Sequence, residues 1–217
     1  MAYTVVCISR HVGAGGEEIG RAIADRLGFR FVDEEIVQRA AAESGVDPES
    51  VANVEERRTV AGRLLDAMEQ AAIAMPEAMA WAPDAVLEAM PKEGLRELIK
   101  EAVRQTAEEG RAVIVAHAAS YVLSGRDGVL RILVTGTPEV CARRLADRSG
   151  MSGKDARKQV AEGRNARADY LRRFHDVREE LPTHYDLVIN TDQLSMDGAV
   201  GAALAVTQHQ SAVPGGA

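Results

Sequence analysis

The sequence predicts an α/β fold, with five parallel strands forming a sheet between layers of helix. Three observations predict it. Short β-rich apolar runs occur at 3–9, 29–32, 112–116, 130–135 and 187–190, with helical pattern between them. These runs are nearly continuous in apolar character rather than alternating, as strands covered on both faces are. A glycine-rich turn, Gly13-Ala-Gly-Gly16, joins the first run to the first helix.

The elements follow in order. After the turn, Ile19, Ile23 and Leu27 recur at four-residue spacing, the stripe of a helix over 18–27 packed on a sheet. Gly28 stands where a left-handed residue closes such a helix. Residues 33–110 keep a helical pattern, cut by Pro76, Pro83 and Pro91 into short pieces, and no repeat period stands out. Val46, Asp47 and Pro48 form a staple residue, an N-cap and a proline at the first helical position. Beyond the fourth strand, Thr137-Pro138 opens one helix and Ser152, with Asp155 three residues on, opens another that runs to about Phe174. A last helix is expected over 197–206, followed by a loose tail over 208–217. The whole is expected as a single domain over 1–207, with its core in 1–40 and 110–207 and a helical insertion at about 41–109.

Composition narrows the function. The chain has 217 residues, 46% hydrophobic but only 4% aromatic, so the core is built from Ala, Val, Leu and Ile. A net charge of -7 argues against a dedicated nucleic-acid binder, whose footprint is basic. No apolar run approaches membrane-spanning length and the first residues lack a basic leader, so the expected location is the cytoplasm, with no membrane partner. The two cysteines, Cys7 and Cys141, share no metal or disulfide spacing and are expected as buried free thiols.

The glycine turn carries the chemistry. Glycines let successive N–H groups converge on an anion, and the helix N-terminus adds partial positive charge. The alternative is a plain strand-to-helix turn. The phosphate-loop motif continues with Gly-Lys-Ser/Thr, whereas this chain has Gly16-Glu17-Glu18. The lysine and the magnesium-binding hydroxyl are both missing. On pattern alone, nucleotide binding is supported and catalysis is not.

The stretch Ile8-Ser-Arg-His-Val-Gly-Ala-Gly-Gly-Glu-Glu-Ile-Gly20 resembles the start of the bacterial cytidylate kinase-like family, whose loop reads Ser-Arg, two variable residues, then Gly-Ser-Gly-Gly-Arg-Glu-Ile. The resemblance continues through 27–40, at Arg143-Arg144-Leu145, over 167–170, and most closely over 185–191. It implies a P-loop NTPase-type three-layer fold with a helical insertion for the monophosphate and an Arg-rich lid. It also implies ATP and magnesium as cofactors and a small-molecule nucleotide as partner. Gly13, Ala14, Gly15, Gly16, Glu17 and Glu18 would then surround the donor β-phosphate through their N–H groups. Arg10, just after strand one, would add charge there, or stand as a solvated loop arginine. Asp33 and Arg39 match acceptor-side positions, where arginine grips the monophosphate and the acid orients the substrate; Asp33 is equally suited to cap a helix.

Arg143, Arg144, Arg148, Arg157, Arg164 and Arg167 make one segment basic within an acidic chain. Lid arginines stabilise the charge of phosphoryl transfer, and Arg144, Arg148 and Arg167 are the choices for that role; the alternative is a solvated helix face. The departures from the family are as specific as the matches. The loop arginine is Glu17, the Gly-Arg after strand three is Ala116-His117, the sugar-reading Asp is Ala118, and the acid three residues before Arg167 is Arg164. His117 would either donate to an acceptor phosphate as imidazolium or serve a local hydrogen bond. Two functions stay open: a kinase phosphorylating a CMP-like or other small acceptor, and a degenerate nucleotide- or anion-binding sensor or partner module. The Ala/Met-rich stretch over 67–90 is expected either to cover the acceptor side or to form a homodimer contact.

Overall fold

β1 (Val5–Arg10), the first strand, lies at the centre of a five-stranded sheet and pairs in parallel with two neighbours. In the computed structural model, which describes residues 3–32, 92–115 and 118–208, the chain continues through α1 (Gly16–Leu27), β2 (Arg30–Val32), α2 (Lys92–Glu109), β3 (Ala112–Ile114) and α3 (Ala119–Val122). It then forms β4 (Val129–Thr135), α4 (Pro138–Ser149), α5 (Gly153–His175), a 3-10 turn (Pro182–His184), β5 (Leu187–Asn190) and α6 (Met196–Gln208). The strand order is β2-β3-β1-β4-β5, and every pairing is parallel.

The three layers follow from the two-residue period of β1. Val6 and Ile8 point into one apolar cluster with Ile19 and Ile23 of α1, Cys141 of α4 and Ala199 and Ala203 of α6. Val5 and Cys7 point into the opposite one, with Ala102 and Val103 of α2, Ala119 and Leu123. A strand buried on both faces has no side free for polar residues, which explains its continuous apolar run.

Close packing requires small residues at two contacts that set the site. A Cβ at Gly20 would lie 2.7 Å from Val115 Cγ2, so the glycine lets α1 settle onto the sheet. A Cβ at Gly163 would lie 2.4 Å from Val12 Cγ2, so α5 crosses directly over the turn that follows β1. The expected caps are present: Thr137 accepts from Val140 N–H, and Ser152 accepts from Asp155 N–H at 3.2 Å. Gly28 is left-handed at φ 63° and closes α1.

Some boundaries differ from expectation. The first helix begins at Gly16, two residues early, because left-handed Gly15 turns the chain straight into it. Arg10 is the last residue of β1 rather than a loop residue beyond it. The third strand ends at Ile114, and α3 and the 3-10 turn are additional elements, too short to show a period. Of the insertion expected at 41–109, only α2 falls within the described residues; the stretch at 67–90 and the end of the tail lie outside them. No described helix is long and apolar enough to cross a membrane.

Both thiols are fully buried. Burial pushes the Cys7 thiol up to about 12 and raises Cys141 as well. Neither cysteine should therefore react with a disulfide thiol reagent at mildly alkaline pH in the native protein, and both should titrate once it is denatured. Rapid native labelling of either would show that these core layers open.

Candidate phosphate-binding site

The turn after β1 is shaped by two left-handed glycines, Gly13 at φ 78° and Gly15 at φ 83°. Gly13 also packs against the α4 backbone, where a Cβ would meet the Cys141 carbonyl oxygen at 2.4 Å. Two side chains hold the carbonyls of this turn. Arg144 Nη1 donates to Gly13 O at 2.9 Å, and Thr191 Oγ1 shares its one proton between Ala14 O at 3.0 Å and Thr135 O at 3.1 Å. Arg144 also donates through Nη2 to Thr191 O at 3.0 Å, so the two form one clamp.

In a trans peptide the N–H points opposite the carbonyl. Fixing Ala14 O on Thr191 therefore turns Gly15 N–H away from the clamp. The N–H groups of Gly16, Glu17 and Glu18 follow at the start of α1, where no intrahelical acceptor exists for them. The helix dipole adds its positive end. Unpaired N–H groups at a helix start are the donors on which anions bind in general.

The two carboxylates of the turn are drawn aside. Glu17 pairs with Arg21 one turn along α1 at 3.2 Å, and Glu18 pairs with Arg148 of α4 at 2.7 Å. Both pairs are exposed and contribute little to stability. Their effect is local: each negative group beside the anion site has an arginine partner.

Behind the turn lies a second polar cluster. Arg167 grips Glu180 through Nη2 at 2.6 Å and Nε at 2.9 Å. The Tyr185 hydroxyl donates to the same carboxylate, and Tyr121 stands 3.1 Å from Tyr185. His11, within the turn, reaches Glu180 Oε2 at 3.5 Å through Nε2 and Thr135 Oγ1 at 2.9 Å through Nδ1. Burial alone would raise the Glu180 carboxyl, but donation from His11, Arg167 and Tyr185 outweighs it and holds the group well below the usual carboxylate range. Burial would likewise lower Arg167, and Glu180 reverses that. Alongside runs a cleft of about 250 Å³ lined by His11, Arg164, Arg167, Leu171, Arg178 and Glu180 among others. Arg164 donates to Gly136 O at 2.6 Å, while its Nε is buried with no partner among the described residues.

The structure thus gathers Arg10, the turn from Gly13 to Glu18, Arg144 and Arg148 around one point, with Arg167 linked to the turn through Glu180 and His11. Asp33, Arg39 and His117 lie outside the described residues. Sequence reasoning singled out neither Thr191, His11 nor Glu180. Thr191 closes the best-matching segment, and that was its only signal. His11 occupies a variable loop position, and Glu180 lies in a stretch without periodicity.

A parallel sheet in this order, with a glycine turn leading from its central strand into a helix, is a P-loop kinase fold. The model of the cytidylate kinase-like family matches residues 5–193, and the chain belongs to that family. A cytidylate kinase of Methanopyrus kandleri is 26% identical over 89% of this chain and 87% of its own length. Among solved structures, an uncharacterized protein from Eubacterium ventriosum superposes with a TM-score of 0.63 at 16% identity, covering 94% of this chain and 97% of the other. A shikimate kinase from Bacteroides thetaiotaomicron gives 0.51 at 16% identity, covering 94% and 98%.

Glu180 carries a pH dependence with a definite sign. Its folded pKa lies below its unfolded value, so its contribution is complete above the ordinary carboxyl range near 4.5 and is lost as pH falls through and below it. Glu180→Gln should cost about 3 kcal/mol at neutral pH, since it leaves Arg167 buried without its counter-charge. Urea melts should also show a shallower loss of stability on acidification in the variant. Equal acid sensitivity in both proteins would assign the acid dependence to other carboxylates.

Proposed function

We propose that the protein is a nucleotide-dependent phosphotransferase that moves the γ-phosphoryl group of ATP to a small acceptor, a CMP-like phosphate monoester by family analogy. The observation that carries this reading is the clamped turn. Arg144 and Thr191 hold its carbonyls outward, leaving amides directed at an anion in a chain of the cytidylate kinase-like family.

In this reading the N–H groups from Gly15 to Glu18 hold the donor β-phosphate, while that of Ala14 is spent within the turn on His11 O at 3.0 Å. An oxygen of the acceptor phosphate bonds to the γ-phosphorus as the bond to the β,γ-bridging oxygen breaks, and that oxygen keeps the electron pair and leaves on ADP. A monoester dianion needs no general base. Arg148 and Arg167 act from the lid, exchanging Glu18 and Glu180 for phosphoryl oxygens as charge spreads over them. Arg144 acts by positioning the loop. Asp33, Arg39 and His117 belong to the acceptor side. Magnesium would come with the nucleotide; counted from left-handed Gly15, which leads straight into α1, Gly16 takes the motif's lysine position and Glu17 that of its hydroxyl, one residue earlier than the sequence pattern placed them. The cytoplasm is where such substrates are met.

A second reading, a nucleotide-binding sensor without turnover, is favoured by one observation: Arg148 and Arg167 are both engaged with carboxylates. Coupled turnover across the nucleoside monophosphates, with magnesium, separates the two. Phosphorylation of at least one is expected; ATP binding by calorimetry without any turnover would select the sensor, and no binding would remove both. Thr191→Val should weaken ATP binding by roughly tenfold, about 1.4 kcal/mol, because the Ala14 carbonyl loses its tether. Unchanged affinity in a folded variant would show that the loop holds its shape without the clamp.

A further inference from the structure

We propose that Arg10 supplies, from the strand side of the turn, the cation that a lysine at position 16 supplies in the usual phosphate loop. The proposal rests on the kinase reading above and adds to it the group that meets the β,γ end of the triphosphate.

The observation is a steric exchange. A Cβ built on Gly16 would lie 2.5 Å from Arg10 Cβ, 3.2 Å from its Cδ and 3.4 Å from its Cγ. The aliphatic stem of Arg10 therefore runs along the path that a side chain at position 16 would take. One residue can occupy that path, and here it belongs to the last residue of β1. The closest of these atoms is a Cβ, so a side chain at position 10 and one at position 16 exclude each other, and Gly16 is the counterpart of Arg10 rather than a simple loss of lysine.

The far end of Arg10 is placed for the role. Its Nη1 donates to Val115 O at 2.7 Å, just past the C-terminal end of β3, the strand next to β1. That is the sheet edge on which the anion-binding turn opens. The bond fixes the direction of the stem and uses one of five guanidinium N–H donors. Among the described residues no carboxylate pairs with Arg10, in contrast to Arg148 with Glu18 and Arg167 with Glu180. A half-buried guanidinium, anchored by a neutral carbonyl and keeping its full charge, suits the planar, two-oxygen recognition that phosphate offers. In the transfer step, charge collects on the bridging oxygen as its bond to the γ-phosphorus breaks. Arg10 stabilises that oxygen as it leaves on ADP and takes part in no proton transfer.

Three variants test this. Arg10→Gln keeps a donor for the Val115 carbonyl but no charge; Arg10→Ala removes both; Arg10→Gly with Gly16→Lys removes the Cβ that stands 2.5 Å from a side chain at position 16 and returns the cation along the other route into the same space. Calorimetry with ATP and ADP and turnover with the best acceptor are measured for each, with melting curves to establish folding. Both single variants should lose the preference for ATP over ADP by on the order of tenfold and kcat by roughly 10²–10³-fold, the scale for one preorganised charge-stabilising donor. The double variant should recover at least about tenfold over Arg10→Ala, the fold-change expected for roughly 1.4 kcal/mol of restored interaction. Arg10→Gln behaving as wild type would make Arg10 an anchor for Val115 only and overturn the proposal. A folded double variant no better than Arg10→Ala would overturn it too. If the wild-type protein binds no ATP, the kinase reading itself falls and takes this inference with it; if it binds ATP and Arg10→Gln binds equally, only the inference falls.

Discussion

The clamp of Arg144 and Thr191 on the carbonyls of Gly13 and Ala14 is the interaction on which the site depends. Amides converge on an anion only if the carbonyls between them face elsewhere and are satisfied there, since a buried carbonyl without a donor is costly. Arg144 comes from α4 and Thr191 from the end of β5. These elements surround a turn that follows β1, so the sheet must be assembled before the loop acquires its shape. The core enforces the same result: Gly13 lies against the α4 backbone and Gly163 brings α5 onto Val12. The rigidity of the phosphate turn is borrowed from the fold around it.

Charge is arranged on the same principle. The chain carries a net -7, yet arginines converge around this turn and divide by partner. Arg144 and Arg164 donate to backbone carbonyls, Arg148 and Arg167 hold carboxylates, and Arg10, among the described residues, has a carbonyl alone. A guanidinium on a carbonyl keeps its net charge, and one on a carboxylate does not. The first group sets a standing positive potential, and the second is neutralised by its partners; in the proposed kinase it is a reserve that an incoming phosphate would compete for. The exposed Glu18–Arg148 pair yields easily. The Arg167–Glu180 pair, shared with Tyr185 and His11, resists, and any movement of it reaches the turn through His11.

The fold was largely legible in the sequence. Strands buried on both faces leave continuous apolar runs, and caps such as Thr137, Ser152 and Gly28 act through local geometry that residue type alone determines. The glycine turn was legible for the same reason. What the sequence did not display was each side chain's partner. Glu18 looked like a defect because its sequence neighbours are another carboxylate and an isoleucine; its neighbour in space, Arg148, lies 130 residues on. The Arg-rich segment looked uniform because period and charge do not distinguish Arg144, turned onto the loop carbonyls, from Arg148, turned onto Glu18. Thr191 and Glu180 acquire their roles only through contacts made by the folded sheet.

Glu17 and Glu18 also follow from how the helix begins. With the turn passing directly into α1 through a left-handed glycine, no residue caps the helix with its side chain. Acids in the first turn restore part of that loss through the dipole. Such acids compete with a phosphate for the same amides if they fold back onto them. Here they do not, because Arg21 and Arg148 draw them along and across the helix surface. The first turn of α1 can then be stabilised by its own carboxylates while its N–H groups remain available to an anion. Reversing either arginine to an acid would set those two demands against each other, while the glycine turn itself could stay unchanged.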